Sequence, residues 1–292
     1  MNGIIVIDKP FGKTSHDMVY FVRKLTGIKK VGHTGTLDPA ATGVLPVCIG
    51  NATKVCDMLT NADKTYRVSF VLGMITDTQD AEGEILTEQP VTVSKEEIVG
   101  AIESFVGEIS QVPPMYSAVK VGGKKLYELA RAGVEIERKE RRVTIKNIEI
   151  EDIDMTEYIV TMTVECSKGT YIRTLCEDIG LKLGCGAYVN TLRRIKSGVF
   201  EIRDSKTLDE LFAKKDAGEL DGCSISTEKL FMDYPQVRVS GKRAEMVKNG
   251  VSINFDGLEE NKLYRVYEDA EFIAISRAKE GKLGLEKAFW NR

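Results

Sequence analysis

Residues 31–50, VGHTGTLDPAATGVLPVCIG, set the tightest limit on what this chain can fold into. Four glycines and two prolines in that span exclude a continuous helix, because each residue type breaks helical pairing or wastes backbone entropy. The stretch must be a loop that feeds an extended segment. GVLPVCIG is strand-like, and Pro46 predicts an edge or bulged position for it. A single carboxylate, Asp38, stands in the loop. Glycine-rich loops commonly cradle phosphate with backbone N–H groups, and a carboxylate there would repel that anion. Asp38 precedes Pro39, which biases its backbone toward extended or turn conformations. Two readings stand: a turn-forming aspartate, or a lone carboxylate presented as nucleophile or base. His33 is open in the same way. It reads either as a loop histidine capping a turn or as a planar group that stacks on, or replaces, a displaced base.

Around this loop the periodicities alternate. GIIVID (3–8) predicts a buried strand. SHDMVYFVRKLTG (15–27) predicts a helix with Ser15 as N-cap and Gly27 as its end. TYRVSFVLG (65–73) predicts a strand, and TDTQDAEGE (76–84) an acidic turn or loop. Ser94 and Glu97 form a capping box for a helix over 94–107. YSAVKVGGKKLYELARAG (116–133) predicts a strand, a Gly-Gly turn and a short basic helix. RVTIKNIEI and YIVTMTVEC are two strands, GTYIRTLCEDIGLKLG (169–184) an amphipathic helix, and AYVNTLRRIKSGVF a returning strand. After Tyr234-Pro235 the texture changes to short strands between Gly, Asn and Asp turns, which predicts a small β-rich domain over 235–292 behind a first domain at 1–234.

At 292 residues the chain can bury a sizeable core. It has no apolar run of about 18 residues, so no membrane span is expected. MNGIIVIDKP lacks a basic leader and reaches Asp8 almost at once, so a secretory signal is not expected and a cytoplasmic location is. None of the six cysteines forms a CxxC pair, and only His16 and His33 could add nitrogen ligands, so no metal site is expected. The net charge of −3 is unevenly spread. Residues 115–146 hold nine basic against four acidic residues, whereas 61–114 hold three against ten. The basic segments coincide with the Gly, Tyr and Arg motifs, the footprint expected of a polyanion partner.

GKTS at 12–15 mimics the end of a P-loop, but the glycine required five residues earlier is Ile7. The chemistry-bearing residues lie elsewhere. Tyr66-Arg67 and GTYIRTL (169–175) supply aromatic and guanidinium groups. An arginine beside a carboxylate favours the anion, which suits a nucleophile and not a general acid. The basic stretch from Lys120 through Lys124, Lys125, Arg131, Arg138, Lys139, Arg141 and Arg142 is interleaved with Tyr127. It reads as a solvated face or as a surface that tracks phosphates.

Taken together, GHTGTLDPAATGVLP, DKPFGKTS, KTYRV, TDTQDAEG and SKGTYIRTL resemble, in order and spacing, the bacterial TruB-type tRNA pseudouridine synthases, which isomerise uridine 55 of the T-loop. The resemblance covers residues 1 to about 200. The tail is similar, more distantly, to the small RNA-binding PUA domain. The resemblance implies an α+β fold: a mixed, largely antiparallel sheet flanked by helices, with a cleft across its centre. By motif it implies Asp38 as nucleophile, Tyr66 stacked on the target base, and Arg173 paired with the carboxylate. Tyr171 and Leu192 would line the uridine pocket, and His33 would fill space left by flipped nucleotides. Lys124, Lys125, Arg141, Arg142 and Arg193 become candidate RNA-backbone contacts. The implied partner is the T-stem-loop of tRNA, the implied state a monomer, and no cofactor is implied. Two other readings fit the basic patches: a tRNA-folding chaperone whose catalysis is secondary, and a non-enzymatic RNA-binding protein.

Overall fold

The computed structural model describes residues 1–117 and 119–290. β1 (Gly3–Lys9) leads into α1 (Ser15–Thr26), and β2 (Val31–His33) and β3 (Thr42–Ile49) bracket the Asp38 loop. A 3-10 turn and α2 (Cys56–Thr60) precede β4 (Lys64–Leu72). A hairpin of β5 (Met74–Thr76) and β6 (Ile85–Glu88) is followed by α3 (Lys95–Glu103) and β7 (Gly107–Gln111). The small hairpin of β8 (Lys120–Val121) and β9 (Lys124–Lys125) runs into α4 (Leu126–Arg131). Then come β10 (Arg141–Asp154), β11 (Ile159–Cys166), α5 (Ile172–Lys182), β12 (Ala187–Ser197), β13 (Phe200–Glu201) and α6 (Leu208–Asp216). The chain ends in β14 (Gln236–Val239), α7 (Gly241–Lys248), β15 (Ile253–Asn254), β16 (Leu263–Glu268), β17 (Glu271–Lys279) and β18 (Lys282–Ala288).

Among the described residues the first strands build a nine-stranded sheet in the order β1-β3-β12-β4-β11-β10-β7, with β2 on β3 and β13 on β12. Its pairings are antiparallel except β3 with β12, which run parallel through only Thr42–Arg193 and Gly43–Arg194. The architecture is therefore the α+β arrangement expected. Apolar residues of β4, β11 and β12 pack with α3 and α5 on one side, around Phe70, Ile98, Met162 and Leu175. A second apolar cluster joins β1 and β3 to α1. The cleft opens between the Asp38 loop, β4, β12 and the start of α5. A separate five-stranded sheet, β14-β16-β17-β18-β15, occupies the C-terminal part. It shares an apolar seam with the first sheet, in which Phe231, Ile275 and Phe289 pack with Ile4, Val6 and Phe200.

Two local expectations need correction. The N-cap of α1 is Thr14, whose hydroxyl accepts from the Asp17 backbone N–H while Asp17 caps Thr14 in return. Ser15 is unavailable for capping because its hydroxyl is buried against Leu37, accepting from the backbone N–H at 2.8 Å and donating to the carbonyl at 3.1 Å. Pro46 is neither at an edge nor in a bulge. It pairs in regular register with Val6, and its carbonyl accepts from the Thr34 backbone N–H on the other side. The strand tolerates it because β2 ends opposite Val47, one residue away, so no ladder donor is required of residue 46.

Candidate active site

The Asp38 loop is fixed at both stems. Gly43 adopts φ +101°, and a Cβ there would stand 2.2 Å from the Arg194 carbonyl, so only glycine lets β12 lie alongside. Arg194 is fully buried and bridges the stems, donating from Nε to Val44 O at 2.7 Å and from a terminal nitrogen to Gly35 O at 3.3 Å. Lys9, also fully buried, donates from Nζ to Pro10 O, Lys13 O and Pro39 O at 2.9, 2.5 and 3.1 Å. These bonds tie the loop that follows β1 to the turn that follows Asp38. Burial draws the Lys9 pKa down to about 8, with the Asp38 charge opposing. Ser15 pins Leu37, so the residue next to Asp38 is anchored to the first turn of α1.

The partner of the carboxylate arrives from α5. Tyr171 caps that helix and is itself held by Gln111, whose side chain both donates to its carbonyl and accepts from its N–H. Arg173, two residues on, is buried, and its terminal nitrogens serve four acceptors. One lies 2.9 Å from the Asp38 carboxylate and donates to Tyr116 O at 2.8 Å. The other donates to Thr78 O at 2.6 Å and stands 3.5 Å from the Asp80 carboxylate. The Asp38 side chain keeps 38% of its surface exposed, which leaves it accessible from the cavity while paired. Within its own turn Asp38 is held through the main chain, Ala41 N–H donating to Asp38 O.

A cavity of ≈ 420 Å³ opens over this pair and is lined by Tyr66, Tyr171, Leu192, Arg194, Lys64 and Arg141, among others. That volume suits a small organic group. A side recess of ≈ 40 Å³ shares Asp38, Arg173 and Leu192 and is rimmed by the exposed Phe11. Tyr66 sits on β4 directly opposite Arg194 of β12. Burial raises its pKa, with Arg194 opposing, so the phenol stays protonated near neutrality. Lys64 Nζ donates to the carbonyls of Leu59, Thr60 and Ala62, and burial draws its pKa down to about 8.

The structure brings Asp38, Tyr66, Arg173, Tyr171 and Leu192 to one cavity. His33 lies at the end of β2, half-buried, and is not among the cavity-lining residues. Its buried Nδ1 has no hydrogen-bond partner among the described residues, and burial lowers its pKa. Lys124 and Lys125 lie on β9, with the Lys125 ammonium 3.1 Å from Tyr127 Oη and 5.2 Å from the ring centroid. Arg141 and Arg142 open β10, both exposed, and Arg141 reaches the cavity wall. Arg193 stands 2.6 Å from Asp8 and 3.3 Å from Thr42 Oγ1, with 39% of its side chain still exposed. The side chain of Lys120 lies outside the described residues, as do residues 291 and 292 of the C-terminal segment.

Sequence reasoning passed over Asp80, Arg194, Lys9 and Lys64. The three cations stand beside Asp8, Asp63 and Arg193, so no local pattern marks them as buried. Asp80 carried only the signature of an acidic turn. Among the described residues, no group of three His, Cys, Asp or Glu is placed to hold a metal, all six cysteines are free, and no helix is long and apolar enough to cross a membrane.

Comparison with known families now bears on this geometry. Residues 23–172 match the TruB family pseudouridylate synthase N-terminal domain, and residues 173–230 match the tRNA pseudouridylate synthase B C-terminal domain. The chain belongs to the TruB family. The tRNA pseudouridine synthase B of Clostridium perfringens strain 13 is 48% identical over 98% of both chains. That of Geobacillus thermodenitrificans is 49% identical over 86% of this chain and 85% of its own. Among solved structures, a chain of an H/ACA RNP bound to a substrate RNA containing 2′-deoxyuridine matches with TM-score 0.72 at 26% identity, covering 99% of this chain and 86% of that one. The boundary between the two TruB matches falls between Ile172 and Arg173, within α5 and so within the architecture of the first sheet.

Proposed function

We propose that this TruB-family chain is a tRNA pseudouridine synthase acting on uridine 55 of the T-loop, with Asp38 as its nucleophile. What supports the reading above all is the Asp38–Arg173 pair at 2.9 Å, built into the wall of a cavity that Tyr66 also faces. The target uridine leaves the loop stack, at a cost of roughly a few kcal/mol. Tyr66 stacks on the uracil, and Tyr171 and Leu192 close the pocket around it. Asp38, with its position set by Arg173, attacks either the ribose C1′ or uracil C6. The bond between C1′ and N1 breaks, the uracil turns, and a bond forms between C1′ and C5. The C5 proton passes to a base or solvent, N1 takes up a proton in its place, and Asp38 is released with its bond to the substrate broken. Substrate and product have the same composition, one proton lost at C5 being matched by one gained at N1, so the isomerisation consumes no water, oxidant or cofactor.

In this reading His33 fills space in the T-loop vacated by displaced nucleotides. Lys124, Lys125, Arg141 and Arg142 track phosphates of the T-stem, and Arg193, partly exposed beside Asp8, joins them. Residues 1–234 carry the chemistry, residues 235–292 add RNA contact, and the chain works as a monomer. The deciding experiment incubates the protein with unmodified tRNA transcript and maps pseudouridine by position. A single new pseudouridine at position 55 is expected, and none in a transcript carrying cytidine there. Product only at other positions would overturn the proposed specificity.

A further inference from the structure

We propose that Gln79 is a positioning residue for Arg173, braced by Thr174 and Glu177 of the same helix that carries the arginine. The proposal rests on the catalytic reading above. Gln79 has φ +64°, a left-handed conformation that L side chains other than Asn and Asp rarely adopt. It sits at the crest of a turn in which Gln79 N–H donates to Thr76 O at 3.2 Å and Thr76 Oγ1 donates to Asp80 O at 2.8 Å. Thr78 Oγ1 donates to the Asp80 carboxylate at 2.6 Å. That backbone shape directs Thr78 O and the Asp80 carboxylate at the same nitrogen of Arg173, 2.6 and 3.5 Å away.

The Gln79 amide holds the turn in this shape. Its carbonyl accepts from Thr174 Oγ1 at 3.0 Å, and its NH₂ donates to the Glu177 carboxylate. Thr174 and Glu177 are three apart on α5 and so share a face. The helix therefore presents Arg173 to the carboxylates on one side and grips the turn that orients it on the other. The main chain adds a second hold, since Val189 N–H donates to Gln79 O and Ala81 N–H to Val189 O. The motif TDTQDAEG reads as a solvated acidic turn, yet two of its side chains reach α5: Asp80 faces Arg173 itself, and Gln79 grips Thr174 and Glu177 beside it.

The test measures single-turnover pseudouridine formation, tRNA Kd and thermal midpoint for Gln79→Ala, Gln79→Gly, Glu177→Ala, Glu177→Gln and the double variant Gln79→Ala/Glu177→Ala. Gln79→Ala and Glu177→Ala should each slow turnover about tenfold, equivalent to roughly 1.4 kcal/mol, with the Kd unchanged. The double variant should be no slower than the slower single variant, because both remove one brace. Gln79→Gly should be as slow as Gln79→Ala although glycine accepts the turn, since the amide is what matters. Glu177→Gln keeps an acceptor and should recover most of the rate. If Gln79→Ala fails to fold, Thr174→Val carries the test with an expected loss of about threefold from one hydroxyl. Wild-type rate in Gln79→Ala, or additive losses in the double variant, would overturn the inference alone. An inactive wild-type protein would overturn the catalytic reading and this inference with it.

Discussion

Replacing Arg173 by lysine keeps the charge and removes the planar fork. The guanidinium reaches four acceptors with two terminal nitrogens: Thr78 O at 2.6 Å and Asp80 at 3.5 Å with one, Tyr116 O at 2.8 Å and Asp38 at 2.9 Å with the other. An ammonium is a point donor and can serve one of those two sides. The side chain is only 5% exposed, so water cannot readily take over the abandoned acceptors. One hydrogen bond from a charged donor and one ion-pair contact are lost, at about 1.5 kcal/mol each on the low side. The sum, about 3 kcal/mol, corresponds to a slowing of roughly 150-fold if the lost contacts matter in the transition state. The assay is single-turnover release of tritium from uracil C5, with enzyme in excess over unmodified tRNA, beside a thermal melt. A variant within about fivefold of the wild-type rate at an unchanged melting midpoint would refute the argument that the fork orients Asp38.

Ser15→Ala deletes a buried hydroxyl that both donates to and accepts from Leu37. It should lower stability by about 1–3 kcal/mol in urea titration and slow turnover through the loosened Asp38 loop; an unchanged urea midpoint would count against that anchor. Asp38→Asn should form no product while binding tRNA within about threefold of wild type, as expected when only the nucleophile is lost; measurable turnover would exclude its proposed role. Burial holds the His33 pKa below its ordinary 6.5, so the unfolded chain takes up that proton first as pH falls. Its contribution to stability is full above pH 6.5 and declines as pH drops through the folded value. The urea midpoint should fall from pH 7 toward pH 5, and His33→Gln should flatten that slope; an unchanged slope would assign the dependence to other groups.

The strands and helices that position the site were legible because each is written locally. GIIVID is a run of apolar residues that becomes the buried β1, and the Ser94–Glu97 box caps α3 as its spacing implies. What local pattern cannot supply is the partner of a polar group. Ser15 was read as a cap because nothing near it in sequence shows that Leu37 claims its hydroxyl. Pro46 invites an edge or bulged position because the local pattern cannot show that β2 ends at His33, leaving Thr34 to donate to the Pro46 carbonyl and nothing to need a donor from residue 46. Asp80 looked like turn chemistry until α5 placed Arg173 beside it. Arg193, read as a candidate phosphate contact, meets Asp8, which lies 185 positions earlier in the chain. Lys9, Lys64 and Arg194 stay hidden because each stands beside another charged residue, Asp8, Asp63 and Arg193, a pattern that reads as surface.

The seam between the two sheets sets a fixed distance. Phe231, Phe272 and Phe289 stack within 5.2 to 6.1 Å of one another or of Tyr234, and Asn51 donates to the carbonyls of both Phe289 and Trp290. Lys54 Nζ donates to Ala288 O and Lys287 Nζ to Lys54 O across the same join. A hinge would need water in place of those rings. The molecule therefore works as a caliper with its jaws locked, and an RNA that touches both jaws must bring a matching span or bend to acquire one.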